Sequence, residues 1–271
     1  MLEKGWKLRA LTRNLQSRAA QVLAQQGVEL MQGDLEDPVS VEAAVRGAYG
    51  VFSVQDGAVD RQREIQQGKN LADAALKAGV AHFVYNSVGG ADRNSGIDVW
   101  ERKWEIEQYV RKVGLPATIF RPASFFENYY RAFLEIPILK GTLRSPVRAD
   151  KEYQMIATCD IAGFVQLAFE RPAEFIGMQL EIAGSGLTNR ECAEVFSRVL
   201  KRPVKFRAIP MPLARIFLGK DIYQMFVWLN ESGYKADIPE LRRRYPELRL
   251  KSLEDWLYME GWQKHARPTG I

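Results

Sequence analysis

Short apolar runs alternate with longer amphipathic stretches through roughly the first 120 residues of the chain. The apolar runs predict strands over 6–12, 28–31, 51–54, 83–87 and 117–120. The stretches between them have helical periodicity and predict helices over 15–26, 38–46, 60–78 and 99–112. Strands that alternate with helices of this length form βαβ units. We therefore expect an α/β fold built on a doubly wound parallel sheet.

The pattern loosens in the second half of the chain. Eight prolines between positions 137 and 246 separate shorter elements, among which only 160–170 and 189–200 are clear helices. No linker is long enough to separate two independent domains. We expect residues 1–135 to form the sheet domain and residues 136–271 to form a smaller α+β lobe packed against it.

The 271 residues are 46% hydrophobic and 26% charged, as in an ordinary globular protein. The net charge of +5 arises in the second half, where 136–271 carry 21 basic and 16 acidic side chains. Such a surplus can attract nucleic acid. No aromatic interleaving or recognised DNA-binding motif accompanies these charges. We interpret them as solvated helix faces and strand ends, and expect no direct nucleic-acid binding.

Histidines and cysteines are scarce. His82 and His265 are far apart in sequence, so we expect no metal site. No apolar run approaches about 18 residues, so we expect no membrane span. Cys159 and Cys192 lie in apolar helical stretches and are expected to be buried thiols. Two cysteines without a signal peptide predict a cytoplasmic protein.

Seven short segments, each of them weak alone, together resemble a known protein family. In chain order they are 9–14 (RALTRN), 32–35 (QGDL), 51–55 (VFSVQ), 87–91 (SVGGA), 103–107 (KWEIE), 121–128 (RPASFFEN) and 158–162 (TCDIA). Their order and spacing resemble the NmrA-like family, a branch of the atypical short-chain dehydrogenase/reductase proteins. The resemblance implies a Rossmann fold that binds NADP or NAD. It also implies either reduction of a small molecule or a non-catalytic role as a cofactor sensor.

The segment after the first predicted strand favours NADP. An NAD-preferring Rossmann protein places an acidic residue there on the ribose 2′-hydroxyl. Thr12, Arg13 and Asn14 include no carboxylate, and arginine pairs bidentately with a 2′-phosphate. The alternative is that Arg13 is an exposed side chain at a strand end. The resemblance further implies that Asp34 and Leu35 frame the adenine, although Asp34 equally suits a turn.

Polar residues also follow the two central strands. Ser53 and Gln55 end one of them at the carboxyl edge, where ligands of open α/β sheets lie, and Gln55 is the better cofactor candidate. Phe52 is expected to be buried core. Ser87 follows the next strand, where the resemblance implies a hydroxyl that polarises a substrate carbonyl. The alternative for Ser87 is a cap on the following loop.

Lys103 lies on the helix after that strand. In catalytic short-chain dehydrogenases a tyrosine precedes such a lysine by four residues. Positions i and i+4 share a helix face, so the lysine lowers the tyrosine pKa while it holds the nicotinamide ribose. Here that position is Val99, which has no proton to donate. We expect Lys103 to hold the cofactor without an acid beside it. The alternative is a solvated lysine paired with Glu107.

Two further features follow from the resemblance. Pro122 and Phe125 match positions that line the nicotinamide pocket, whereas Phe126 is expected to be core. The family's glycine-rich turn should follow a strand that precedes residue 6. The glycines at 89–90 and 184–186 lack its spacing and context. We expect a truncated or degenerate chain, with two unpaired strand edges and weakened dinucleotide binding because backbone donors to the pyrophosphate are missing.

Two functions remain open at this point. The first is an NADP-preferring redox sensor or regulator with a protein partner, which Val99 favours. The second is an NAD(P)H-dependent oxidoreductase of a small carbonyl, quinone or azo compound. The residues that favour it are Ser87, Lys103, Pro122 and Phe125.

Overall fold

The computed structural model describes residues 1–265. The strands in this part of the chain are β1 (Arg9–Thr12), β2 (Glu29–Gln32), β3 (Gly50–Ser53), β4 (His82–Asn86), β5 (Ala117–Pro122), β6 (Ser124–Phe125), β7 (Thr142–Ser145), β8 (Glu152–Ile156), β9 (Gln179–Ile182), β10 (Ser185–Thr188) and β11 (Lys205–Ala208). The α-helices are α1 (Arg18–Gln25), α2 (Pro38–Val45), α3 (Arg61–Ala78), α4 (Asp98–Lys112), α5 (Ala132–Leu139), α6 (Thr158–Glu170), α7 (Pro172–Phe175), α8 (Asn189–Leu200), α9 (Met211–Phe217), α10 (Lys220–Glu231), α11 (Ile238–Arg244) and α12 (Leu253–Met259).

Side chains that cap the helix N-termini explain where the observed helix bounds agree with the predicted ones and where they differ. The α8 helix has the predicted bounds because Thr188 and Glu191 form a capping box. By contrast, α1 begins three residues later than predicted, because the Ser17 side chain accepts a bond from the Ala20 N–H. The first strand is also shorter than predicted. Leu2–Lys4 form a 3₁₀ turn that ends at Gly5 with φ of 79°, and β1 begins only at Arg9.

The strands form four sheets, two of which, β10-β8-β6 and β11-β7, consist only of strands from β6 onward. The other two sheets contain the strands predicted in the first half of the chain. The order is β2-β1 in one of them and β3-β4-β5-β9 in the other. The β1-β2 and β3-β4 pairs are parallel, in agreement with the predicted α/β class. Within residues 1–265, neither β1 nor β3 pairs with a strand along its second edge. The expectation of two unpaired edges is thus confirmed for the described residues.

The chain divides into two compact units. Unit 1 comprises Met1–Ser87, Arg102–Ile119 and Val165–Gln179, and unit 2 comprises Val88–Glu101, Phe120–Phe164 and the residues from Leu180 onward. These segments interleave along the chain, whereas the sequence places one boundary after residue 135. The functional assignment of residues 1–135 to the cofactor and 136–271 to a substrate or partner stays a prediction.

Each unit has a hydrophobic core of its own. The core of unit 1 packs α2, α3 and α4 against the strands, with Phe83, Tyr85 and Ile106 at its centre. A core in unit 2 surrounds the buried Trp256, which stacks near Phe126 with ring centroids 5.5 Å apart. No helix within residues 1–265 is both long and apolar enough to cross a bilayer.

A buried histidine lies in the core of unit 1. His82 is fully buried on β4, and its Nε2 lies 2.7 Å from the Thr118 hydroxyl. That hydroxyl donates to the Phe175 carbonyl, so Nε2 carries the proton that bonds Thr118. Burial lowers the pKa of His82 to about 4, below the ordinary value of 6.5. The imidazole is therefore neutral in the folded protein near neutral pH.

We expect His82 to make the fold sensitive to mild acid. Because its folded pKa is depressed, the unfolded chain takes up the proton first, and stability falls as the pH drops from about 6.5 towards 4. The loss between pH 7 and pH 5 should be about 2 kcal/mol. Urea unfolding at both pH values measures it. His82→Gln should reduce this pH dependence, and an equally steep dependence in the variant would contradict the assignment.

Candidate functional site

The turn after β1 holds an arginine that is free to bind a ligand. The Thr12 hydroxyl accepts a bond from the Asn14 N–H, and the Asn14 Oδ1 accepts one from the Gln16 N–H. These bonds shape the turn around Arg13. The Arg13 side chain is exposed, and within residues 1–265 its guanidinium has no hydrogen-bond or ion-pair partner. A rigid turn thus presents an uncommitted guanidinium at the carboxyl end of β1.

Asp34 and Leu35 lie just beyond the end of β2, which pairs with β1 through Gln32 and Thr12. The Asp34 Oδ1 accepts a bond from the Glu36 N–H at 3.0 Å, so this residue closes the turn that the sequence offered as an alternative. Leu35 packs against the core of unit 1, and its carbonyl accepts a bond from Asn70. Their placement around an adenine stays a prediction.

Buried polar atoms without partners gather beyond β3 and β4. Ser53 pairs in register with Tyr85, so Gln55 and Ser87 both lie two residues past the last pair of the ladder. Gln55 donates to the Ser53 hydroxyl at 2.9 Å, but its Oε1 has no partner. The Oδ1 of Asn86 and the Oγ of Ser87 are likewise buried and unpaired within the described residues. Such atoms are rare in a folded protein unless a ligand or water satisfies them.

Phe52 is not the buried core residue that the sequence predicts. It is 43% exposed, whereas Val51 and Ser53 on either side are buried. The alternation follows from the strand pleat, which points successive side chains to opposite faces. Phe52 therefore lies on the face opposite to Val51 and Ser53, and its side chain is not covered there.

Lys103 is held by a residue that the sequence analysis did not identify. Its Nζ donates to the Glu64 Oε1 at 2.9 Å, rather than to the expected alternative Glu107. Glu64 lies on α3 and is fully buried, and its other oxygen accepts a bond from Arg102 at 3.1 Å. In the sequence Glu64 looks like an acidic residue in the first turn of a helix, which is normally solvated. Only the packing of α3 against α4 shows its role.

The remaining predicted residues lie in unit 2. Pro122 is buried, and its carbonyl accepts a bond from the Gly89 N–H at 2.8 Å. Phe125 is half-buried on β6, while Phe126 is 1% exposed, which confirms it as core. Val99 is half-buried and packs against a cluster around Trp100 and Trp228. The lining roles of Pro122 and Phe125 stay predictions.

Two hydrogen-bonded hydroxyl groups lie next to Phe125. The Tyr153 hydroxyl donates to the Ser124 Oγ at 2.5 Å, and Asn128 donates to the same oxygen at 3.2 Å. Burial raises the pKa of Tyr153 to about 12, so the phenol keeps its proton at neutral pH. The sequence offered no signal for Tyr153 because its strand lies far from the motifs in sequence.

One cysteine differs from its expectation. Cys192 is buried as expected, but Cys159 is exposed. Cys159 is the second residue of α6, and the buried position in that turn is taken by Asp160. The apolar stretch that suggested burial begins only after this first turn.

Comparisons with known proteins identify the family of this chain. The sequence model of the NmrA-like family matches residues 1–257. The chain belongs to the NmrA-like family. It is 30% identical over 199 residues to the NAD(P)H azoreductase of Xenophilus azovorans, a match that covers 72% of this chain and 67% of the azoreductase.

Solved structures of similar fold extend over nearly the whole NmrA-like chain. A quinone oxidoreductase from Escherichia coli, complexed with NADPH, aligns with a TM-score of 0.78 at 21% identity and covers 93% of this chain and 89% of its own. Nmra, a negative transcriptional regulator in complex with NAD, aligns at 0.74 and 19% identity, covering 96% and 90%. These likenesses establish that the chain has a Rossmann-type α/β fold.

Proposed function

We propose that this NmrA-like protein binds NADP and acts as a cofactor sensor. The observation that carries the proposal is the group of buried oxygens without partners on Gln55, Asn86 and Ser87. Leaving such atoms unsatisfied costs roughly 1–3 kcal/mol each, so a polar ligand that reaches them gains affinity. They lie at the carboxyl edge of a parallel sheet, the usual place for a dinucleotide.

The choice of NADP rests on Arg13. Its guanidinium is exposed and uncommitted, and no carboxylate occupies the turn between Thr12 and Asn14. An arginine there can bind the 2′-phosphate through two parallel hydrogen bonds, whereas a ribose hydroxyl gains little from it. Asp34 lies beyond the neighbouring strand, but one of its oxygens is committed to the turn.

A sensing role follows from what surrounds Lys103. A bound nicotinamide supplies a hydride, but reduction of a ketone also needs a proton at the carbonyl oxygen. Val99 occupies the position from which the tyrosine of catalytic short-chain dehydrogenases gives that proton, and it packs in an apolar cluster. The chain can therefore hold the cofactor while its reaction with ketones stays slow. We place this sensor in the cytoplasm, which suits its two free cysteines, with a regulatory protein as partner.

A second candidate is reduction of a quinone or azo compound. The azoreductase relative favours it, as does the unpaired Ser87 hydroxyl, which can polarise a substrate atom. These substrates demand less acid from the protein than ketones do. The same chain would then take a small molecule as its partner.

Titration with NADPH and a panel of acceptors tests both candidates. We expect NADPH fluorescence to change saturably on binding, with no oxidation above background when ketones are added. Oxidation with quinones or azo dyes alone would favour the second candidate. Rapid ketone reduction by the unchanged protein, or no binding of either NADPH or NADH, would contradict the proposal.

A further inference from the structure

Glu64 is a charged side chain that is fully buried. Its side chain has no solvent exposure, and it accepts one bond on each oxygen, from the Arg102 Nη1 and from the Lys103 Nζ. Desolvating a carboxylate costs several kcal/mol, which only close pairing repays. Burial of the Glu64 carboxylate between α3 and α4 therefore costs folding free energy.

Arg102 connects Glu64 to a loop. The same Nη1 donates to the Val59 carbonyl at 2.6 Å. Val59 lies in the connection between β3 and α3, which also carries Gln55 with its unpaired Oε1. Glu64 thus joins two parts of the candidate site, the lysine and the loop after β3.

The Lys103 ammonium group can donate further hydrogen bonds. Its side chain is only 12% exposed, so water reaches it poorly. An ammonium group has three donors, and within residues 1–265 only the bond to Glu64 uses one of them. Two donors on a nearly buried cation suit a pair of neighbouring hydroxyls, such as those of a ribose.

We propose that Glu64 is the positioning residue for Lys103: it fixes the ammonium group so that its two free donors meet the ribose next to the nicotinamide. This inference rests on the proposed function. A lysine on a flexible four-carbon stem otherwise loses rotamer entropy each time it binds. Because Glu64 already holds the ammonium group in place, this entropy is lost before the cofactor binds.

The test compares the whole cofactor with its adenine half. NADPH carries both riboses, whereas adenosine 2′,5′-bisphosphate lacks the nicotinamide half that Lys103 would meet. We expect Glu64→Gln to weaken NADPH binding at least about tenfold, as for a lost charge-assisted contact. The affinity for the bisphosphate should change less than about twofold. Fluorescence titration measures the first affinity and calorimetry the second.

Glu105→Gln is the matched control. Glu105 lies on α4, the helix of Lys103, and pairs with Lys69 of α3 at 3.1 Å, but it is 41% exposed. This variant should bind both ligands as the unchanged protein does. Glu64→Asp keeps the charge and shortens the reach by one methylene, so it decides the matter if Glu64→Gln fails to fold. We expect it to lose NADPH affinity about threefold or more and to keep bisphosphate affinity.

The outcomes separate the two proposals. Equal weakening of both ligands in the Glu64 variants would show that Glu64 serves only the fold, and unchanged NADPH affinity would show that Lys103 needs no partner. Either result overturns the positioning role while NADP binding stands. If the unchanged protein binds the bisphosphate but not NADPH, the positioning role fails while the arginine site survives. Failure to bind either ligand overturns both proposals.

Discussion

Arg13→Ala is expected to weaken NADPH binding by about 10- to 150-fold while NADH binding stays within about twofold. The range corresponds to roughly 1.5–3 kcal/mol for hydrogen bonds to a charged group. The 2′-phosphate is the sole chemical difference between the two cofactors near this turn. The Arg13 guanidinium is exposed and has no partner within residues 1–265, so its removal should leave the free protein unchanged and weaken only the complex.

Two control variants make this result specific. Arg46→Ala removes an equal charge at the far end of α2, where the Arg46 carbonyl accepts a bond from Arg9 at the start of β1. It should leave both affinities unchanged at moderate salt, since exposed charges a Debye length apart are screened. Arg13→Lys should recover only part of the affinity, because an ammonium cannot bind the phosphate bidentately. Equal losses for NADPH and NADH in Arg13→Ala would show a purely structural arginine.

The sequence predicts the first half of the fold well because its signals are local. Helix caps and strand periodicity depend on neighbouring residues: α3 begins after the Asp60 cap and ends at Gly79, within one residue of its predicted bounds. The same holds for Arg13 and Ser87, which follow strands directly and so lie at the carboxyl edge. The short strands from β6 onward were not predicted individually, because prolines interrupt the pattern and pairing partners are distant in sequence.

Burial is the property that sequence predicts least reliably here. Phe52 is a large apolar residue of the kind that usually lies in a core, yet it is exposed because the strand pleat points it away from the face that buries Val51 and Ser53. Glu64 is a charged residue of the kind that usually lies at the surface. It is nevertheless fully buried, because Lys103 and Arg102 of α4 form ion pairs with its carboxylate. Both depend on contacts between elements far apart in the chain, which no local pattern contains.

Val99→Tyr is expected to raise NADPH-dependent ketone reduction by about 100-fold, the lower end of the range for a positioned general acid. Position 99 lies one helical turn before Lys103 on α4, so a phenol there would share its helix face. The ammonium group is held in place by Glu64 and would lower the pKa of the new phenol. The rate of NADPH oxidation with a ketone present measures the gain.

Val99→Phe is the matched control, because it adds the same ring without the hydroxyl. Val99 packs beside Trp100 in unit 2, so either ring disturbs this cluster to a similar degree. Thermal melts of the two variants should therefore agree, while only the tyrosine variant gains ketone reduction. A gain in both variants would point to altered packing rather than to an acid. If the unchanged protein already reduces ketones as fast as Val99→Tyr, the absent tyrosine does not limit catalysis, and the sensing role loses its main support.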